Sequence, residues 1–359
     1  MECPTDKIMQ EDLESLVERL PFDSLAGRTV LITGATGLIG AQLVKLFACC
    51  NRLRQTDIRI IAVVRDREKA ANVLGELIRN RELTVLEKDI RYLADVGDSV
   101  DYIIHGASAT DSQYFVSHPV ETIRVALQGT QNMLDLARKK HVRGMVYLSS
   151  MEVFGVPYSK EKLKEHEYGY IDILKTRSSY SESKRMAECL CAAYAHEYQV
   201  PVKIARLTQT FGPGVRYSDN RVFAQFGRSV LEGSDIVLHS KGTTRRSYCY
   251  TADALSAILL ILEAGENGTA YTVANEATSI TIAEMAEMVA SKIADNNIKV
   301  VFDLPKDDET YGYAPAMQIR LQTERLEKLG WSPRFDLEDM FRRMIISMGE
   351  SHGKEPVIE

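Results

Sequence analysis

Val30-Leu31-Ile32-Thr33-Gly34-Ala35-Thr36-Gly37-Leu38-Ile39-Gly40 decides the fold. The apolar run that begins after Arg28 has no helical period and reads as a buried parallel strand over 28–32. From Leu38 the pattern becomes that of a helix, 38–48. Gly34 permits the tight turn between them. Gly37 lets a pyrophosphate approach the backbone at the helix N-terminus, and Gly40 lets helix and strand pack closely. The spacing is GxxGxxG, not the GxGxxG of the standard dinucleotide fingerprint, and its place between strand and helix gives it meaning. Cofactor contacts are therefore expected at Gly34, Thr36, Gly37, Leu38 and Ile39.

Outward from this loop, strands are expected at 58–64, 84–86, 101–105, 145–149 and 202–207. Helical patterns lie between them, notably at 120–139 and 180–198. Strands alternating with helices mean βαβ units, hence an α/β, Rossmann-like, doubly wound parallel sheet over 27–212. Beyond Phe211-Gly212-Pro213-Gly214 the alternation breaks down. A helix at 222–232, a strand at 235–238, helices from 252 and 281 and a terminal helix near 337 suggest a smaller mixed α/β substrate lobe, 213–350. Ala270-Tyr271-Thr272-Val273 could return to the sheet and interleave the two. Residues 1–26 read as an accessory helix packed on the surface, and 351–359 as a tail.

The composition narrows the function classes. Hydrophobic residues make up 45% and charged residues 26% of 359 positions, as in soluble globular proteins. A net charge of −6 without a basic tract argues against nucleic acid. An anionic substrate must then be held by a few placed arginines. The six cysteines form no CxxC pair and have no histidine at metal spacing. They predict no metal site and a reducing, cytoplasmic setting. No apolar run reaches the ~18 residues of a membrane span, and the polar, acidic start is not a signal peptide.

Chemistry enters with Tyr180-Ser181-Glu182-Ser183-Lys184. Alone, a Tyr and a Lys one turn apart mean little; after a phosphate cradle and Ser149-Ser150, they make a hydride-transfer site. Lys184 shares a helical face with Tyr180, and its charge should favour the phenolate and make Tyr180 a base. Ser150, at a strand end, can hydrogen-bond the substrate oxygen that Tyr180 deprotonates; it can also simply cap a helix. In Val63-Val64-Arg65-Asp66, an acid would bind a ribose 2′-hydroxyl and an Arg a 2′-phosphate, so NAD and NADP both stay open, with Arg65 leaning to NADP. Asp89-Ile90 is placed to meet the adenine, or Asp89 caps a helix.

These residues resemble the extended short-chain dehydrogenase/reductases of the NAD-dependent epimerase/dehydratase family that modify nucleotide sugars, from Thr33 to Trp331. Within that group the chain is most similar to the UDP-glucuronate decarboxylases. The likeness rests on Ser149-Ser150-Met151-Glu152-Val153-Phe154-Gly155, His105-Gly106-Ala107-Ser108, Arg177-Ser178-Ser179-Tyr180 with Lys184-Arg185, Arg246-Ser247-Tyr248-Cys249-Tyr250 with Asp253, and Leu329-Gly330-Trp331.

The resemblance implies Ser150 orienting the sugar 4-hydroxyl, Tyr180 as base, Lys184 on the ribose and Glu152 beside the sugar. Ala107 would line the cofactor site. Ser108, Arg177, Gln209 and Arg246 would meet the substrate, the arginines as anion contacts. Oxidation at C4 would turn a C5 carboxylate into a β-keto acid that loses carbon dioxide. A 4-epimerase or 4,6-dehydratase is the alternative, and a non-catalytic dinucleotide sensor a remote one. Met151 replaces the acid that many 4,6-dehydratases use to expel the 6-hydroxyl. Ala126, Gln209 and the segment Tyr311-Gly312-Tyr313-Ala314 depart from the family pattern on the substrate side. Relatives imply a homodimer through helices 120–139 and 180–198.

Overall fold

The computed structural model describes residues 1–110, 112–304 and 317–353, so the segment around Tyr313 and the last six residues lie outside the described part. The main sheet holds β1 (Thr29–Thr33), β2 (Arg59–Val64), β3 (Leu83–Glu87), β4 (Tyr102–His105), β5 (Gly144–Ser150), β6 (Val202–Leu207) and β10 (Ala270–Val273). Its seven strands run in the order β10-β6-β5-β4-β1-β2-β3. Every neighbouring pair is parallel.

Alternate residues of each strand feed two cores, as the pleat requires. Val30 and Ile32 join a cluster with α1 (Lys7–Arg19), α2 (Leu38–Arg54) and α8 (Thr251–Ala264). Leu31 joins the opposite cluster with α5 (Pro119–Lys140) and α6 (Ser178–Tyr198). The short helices α3 (Arg67–Leu74) and α4 (Ser112–Ser117) follow β2 and β4.

The remaining elements build above the C-terminal strand ends. They comprise β7 (Gln209–Phe211), α7 (Val222–Glu232), β8 (Ile236–Leu238), β9 (Arg245–Tyr250), β11 (Asn275–Thr281), α9 (Ile282–Met288), β12 (Val300–Phe302), α10 (Glu324–Glu327) and α11 (Leu337–His352). Strands β11, β9 and β7 form a small sheet in that order, and β12 pairs with β8. The expected return of 270–273 is present: Ala270 to Val273 pair with Ile204 to Leu207.

The N-terminal helix is more than a surface accessory. Met9, Leu13, Leu16 and Val17 recur at helical spacing and bury one whole side of α1 in the larger core. Its acids complete the attachment: Arg343 donates to Asp12 at 2.7 Å, Tyr250 donates to Asp12 at 2.5 Å, and Ser347 donates to Asp6 at 2.6 Å.

Candidate active site

The site lies along a cleft at the C-terminal ends of the strands, where open α/β sheets place their ligands. The glycine loop is packed too tightly against neighbouring backbone to carry side chains at Gly34 and Gly40. Gly34 has φ +70°, and a Cβ there would lie 2.9 Å from the Gly106 carbonyl and from the Ala107 nitrogen. A Cβ on Gly40 would lie 2.2 Å from the Gly34 carbonyl oxygen. Helix α2 starts at Gly37 with no side-chain cap, which leaves its first N–H groups available for an anion. The loop is braced from below: Thr33 Oγ1 is 2.6 Å from His105 Nδ1 and accepts from Ala107 N at 3.1 Å. His105 is wholly buried and pulled down to about 3, by burial first and then by Lys184, so it serves as a neutral strut.

At the end of the cleft beside β2 and β3, Arg65, Asp66, Asp89 and Ile90 line it, followed by Ala107 and Ser108. Asp66 caps α3 by accepting from Lys69 N at 2.9 Å. Asp89 does cap a helix, a short 3-10 turn over Ile90–Tyr92, and is held by Arg91. Ile90 is fixed by Asn132, which donates to its carbonyl at 2.8 Å, and by Gly129, where a Cβ would lie 2.3 Å from the Ile90 side chain.

Ser150, Glu152, Tyr180 and Lys184 are brought together from the end of β5 and the start of α6. The pleat separates the two serines. Ser149 turns inward and donates to Glu188 at 2.5 Å, whereas Ser150 lines the cleft and also caps the turn Met151–Phe154 through Glu152 N at 3.2 Å. Lys184 Nζ donates to the Leu148 carbonyl at 2.8 Å and lies 5.8 Å from the centre of the Tyr180 ring.

The expected lowering of Tyr180 by Lys184 is not found. Burial pushes the phenol up and Glu152 adds to the rise, while Ser150 and the arginines 177 and 221 oppose it. Lys184 is itself pulled down to about 8 by burial, with Glu188 opposing. Phe115, which no sequence signal marked, stacks on Tyr180 with centroids 4.2 Å apart and planes at 6°, and so shields the phenol from water. In the chain alone these surroundings favour the phenol over the phenolate.

Glu152 is a half-buried carboxylate held by three hydrogen bonds. Arg177 Nη1 and Nη2 each donate to it at 3.0 Å, and Ser181 Oγ donates at 3.0 Å. Burial pushes its acidity towards the neutral form, but Arg177, Arg246 and Ser181 together hold it below the ordinary carboxylate range. Arg177, expected as an anion contact, is thus engaged by Glu152 through both terminal nitrogens. Arg246 and Gln209 face the same cleft, and Arg246 Nε is buried without a partner among the described residues, as an arginine awaiting an anion would be. Ala126 is buried inside α5.

Beneath the site lies a buried pair that sequence reasoning missed. Arg206, 2% exposed at its side chain, donates to Glu188 through Nε at 3.0 Å and Nη2 at 2.6 Å. It also donates to the Glu165 carbonyl and to Tyr168. Among the described residues no helix is long and apolar enough to cross a membrane.

With this geometry the family follows. The chain belongs to the NAD dependent epimerase/dehydratase family, whose model matches residues 30–275. It is an enzyme of the class that rearranges nucleotide sugars with a nicotinamide cofactor. It is 28% identical over 312 residues to UDP-glucuronic acid decarboxylase 6 of Arabidopsis thaliana, covering 86% of this chain and 85% of that one. It is 25% identical to UDP-glucuronic acid decarboxylase 1 of Danio rerio, covering 89% and 72%. In fold it is similar to a UDP-glucose 4-epimerase of Thermotoga maritima, with TM-score 0.74 and 19% identity over 90% of this chain and 99% of that one. A dTDP-glucose 4,6-dehydratase of Streptomyces venezuelae solved with NAD gives TM-score 0.74 and 22% identity over 90% and 98%.

Proposed function

We propose that this enzyme decarboxylates UDP-glucuronate or a closely related nucleotide sugar acid. The observation that carries the reading is Glu152 held as an anion beside Ser150 and Tyr180; Met151, at the sequence position where many 4,6-dehydratases carry the acid that expels the 6-hydroxyl, is a buried thioether. The UDP-glucuronic acid decarboxylases it is similar to support the same choice. Residues 213–350 act as the substrate lobe and contribute Arg246 to the nucleotide diphosphate.

The dinucleotide would rest on Gly34, Thr36, Gly37, Leu38 and Ile39, with Asp89 and Ile90 at the adenine, Ala107 along the cleft and Lys184 at the ribose. When bound, it supplies a reversible oxidant for C4 of the sugar. Tyr180, once ionised, takes the proton of the 4-hydroxyl and becomes a phenol, while Ser150 bonds the same oxygen. As carbon dioxide leaves C5, negative charge moves onto that oxygen, where both hydroxyls can donate to it. Glu152 repels the substrate carboxylate but not neutral carbon dioxide, so it favours the transition state over the bound acid. The same anion supports a second reading, removal of the C5 proton of a hexose as in a 4,6-dehydratase.

Exposed Val120 and Ile123 on α5 and Met186 on α6 support a homodimer across these helices, checked by light scattering. The free cysteines support a cytoplasmic setting.

Mass spectrometry of the purified chain with either nicotinamide dinucleotide and a panel of nucleotide sugars tests the reaction. Loss of carbon dioxide from UDP-glucuronate is expected; loss of water from a hexose instead would move the assignment to the second reading. Tyr180→Phe should abolish turnover and leave dinucleotide binding intact, and full activity in that variant would remove Tyr180 from the chemistry.

A further inference from the structure

Three buried residues of the N-terminal segment converge on the loop after β7, residues 212–216. Asp6, Met9 and Asp12 recur at every third position, so they share one face of α1 and its cap. Asp6 accepts from Ser347 Oγ at 2.6 Å, and the same Oγ accepts from Gly214 N at 3.1 Å. Met9 presses on Gly214: a Cβ on that glycine, whose φ is +81°, would lie 2.7 Å from Met9 Cε. Asp12 accepts from the Tyr250 hydroxyl at 2.5 Å, and a Cβ on Gly212 would lie 2.8 Å from the ring of that tyrosine.

The other side of this loop faces the phosphate cradle. Gln42 of α2 donates to the Pro213 carbonyl at 2.7 Å, and a Gly214 Cβ would lie 3.5 Å from Leu38, the first residue of α2. The Arg216 guanidinium lies 3.5 Å from the Thr36 carbonyl, and residues 214–216 line the cleft together with 36–38. The loop is thus held between α1 and α11 on one side and the start of α2 on the other. Gly212 and Gly214 have no side chains to anchor it, so its place is set by what presses on it. Asp6 couples the two events through one carboxylate: Oδ1 caps α1 by accepting from Met9 N at 2.9 Å, while Oδ2 holds Ser347.

We propose that Asp6 and Ser347 are positioning residues for the dinucleotide: the docked N-terminal helix sets the loop 212–216 against the glycine loop, and so sets how tightly the cofactor is held. The proposal rests on the dinucleotide reading of the cleft and not on the sugar reaction.

The test is isothermal titration of the full chain with NAD+ and NADP+, followed with whichever binds more tightly. Ser347→Ala removes both bonds of the bridge and should weaken that dinucleotide about tenfold. Asp6→Asn keeps the helix cap but sets a donor where Ser347 needs an acceptor, and should weaken it too. Ser256→Ala is the control: this buried serine of α8 donates to the Asp253 carbonyl at 2.7 Å and accepts from Trp331 Nε1 at 3.0 Å, away from the cleft. It should lose comparable thermal stability yet keep dinucleotide affinity within about twofold. On the unaltered chain, saturating dinucleotide should slow amide hydrogen exchange in α1 more than in α10. Full affinity in a Ser347→Ala chain that is folded by circular dichroism overturns the proposal, as does an equal loss of affinity in Ser256→Ala. Exchange in α1 slowed no more than in α10 also overturns it, and decides the matter even if a variant misfolds. A chain that binds neither dinucleotide would lose the reading of the cleft itself, whereas one that binds and ignores Ser347→Ala loses the brace alone.

Discussion

Arg177→Met isolates the pairing on which the proposed chemistry depends. The substitution keeps an unbranched side chain but removes two guanidinium bonds to Glu152, each 3.0 Å long, and leaves the single bond from Ser181. Two desolvated charge-assisted bonds would be worth roughly 3–6 kcal/mol. The Arg177 side chain, however, is 39% exposed, so water screens its half of the pair. We therefore expect a loss of about 2 kcal/mol at neutral pH.

The pH dependence gives this loss a signature. In the native chain Glu152 is depressed below 4.5, so its stabilisation is present above the unfolded value and is lost as pH falls through the folded one. In the variant burial dominates and the group rises instead, so its charged form opposes folding above the unfolded value. The stability difference between the two chains should thus be large near pH 7 and shrink towards pH 4. Urea unfolding at both pH values measures it, and the acid limb of the kcat/KM profile should move towards neutral in parallel. A difference that is the same at both pH values, or an acid limb that stays in place, would refute the reasoning.

Gly40→Ala sets a Cβ 2.2 Å from the Gly34 carbonyl oxygen and 2.8 Å from its carbon, both of them backbone atoms that cannot swing aside. We expect a loss of at least ~2 kcal/mol in thermal unfolding and of dinucleotide binding by titration. Arg206→Met strands the buried Glu188 and should cost about 3–5 kcal/mol, whereas the double change with Glu188→Leu should recover part of it; a double-mutant cycle by urea unfolding measures the coupling.

Much of the architecture was legible because it rests on local chemistry. The strand, glycine turn and helix around Gly34 each have their own signal, and Tyr271-Thr272-Val273 read as a strand although it lies far along the chain. In the second lobe the signals weaken. β11 carries Asn275, Glu276, Thr278 and Ser279 and is irregular between Asn275 and Ile280, so no alternation showed.

The site residues were found as types more readily than as relationships. Glu152 and Arg177 both read as ligand contacts, and their mutual pairing appears only when β5 and α6 meet. Arg206 looked like any charge within a strand, since burial of an arginine is set by Glu188 and Glu165 from other elements. Tyr180 was read through the charge of Lys184, but the phenol's surroundings are decided by Phe115 and by depth, which no spacing encodes.

Strand β10 bears on how this polypeptide is made. The outer edge of β6 is closed by residues 270–273, which the ribosome releases only after the whole of β7 to α8. Until then the backbone from Ile204 to Leu207 presents an open rim, the kind of surface on which nascent chains pair with one another. A fragment ending near residue 212 would keep that rim for good. The nucleotide-holding half is therefore no portable cassette, and grafting it onto a different substrate lobe would have to bring β10 along.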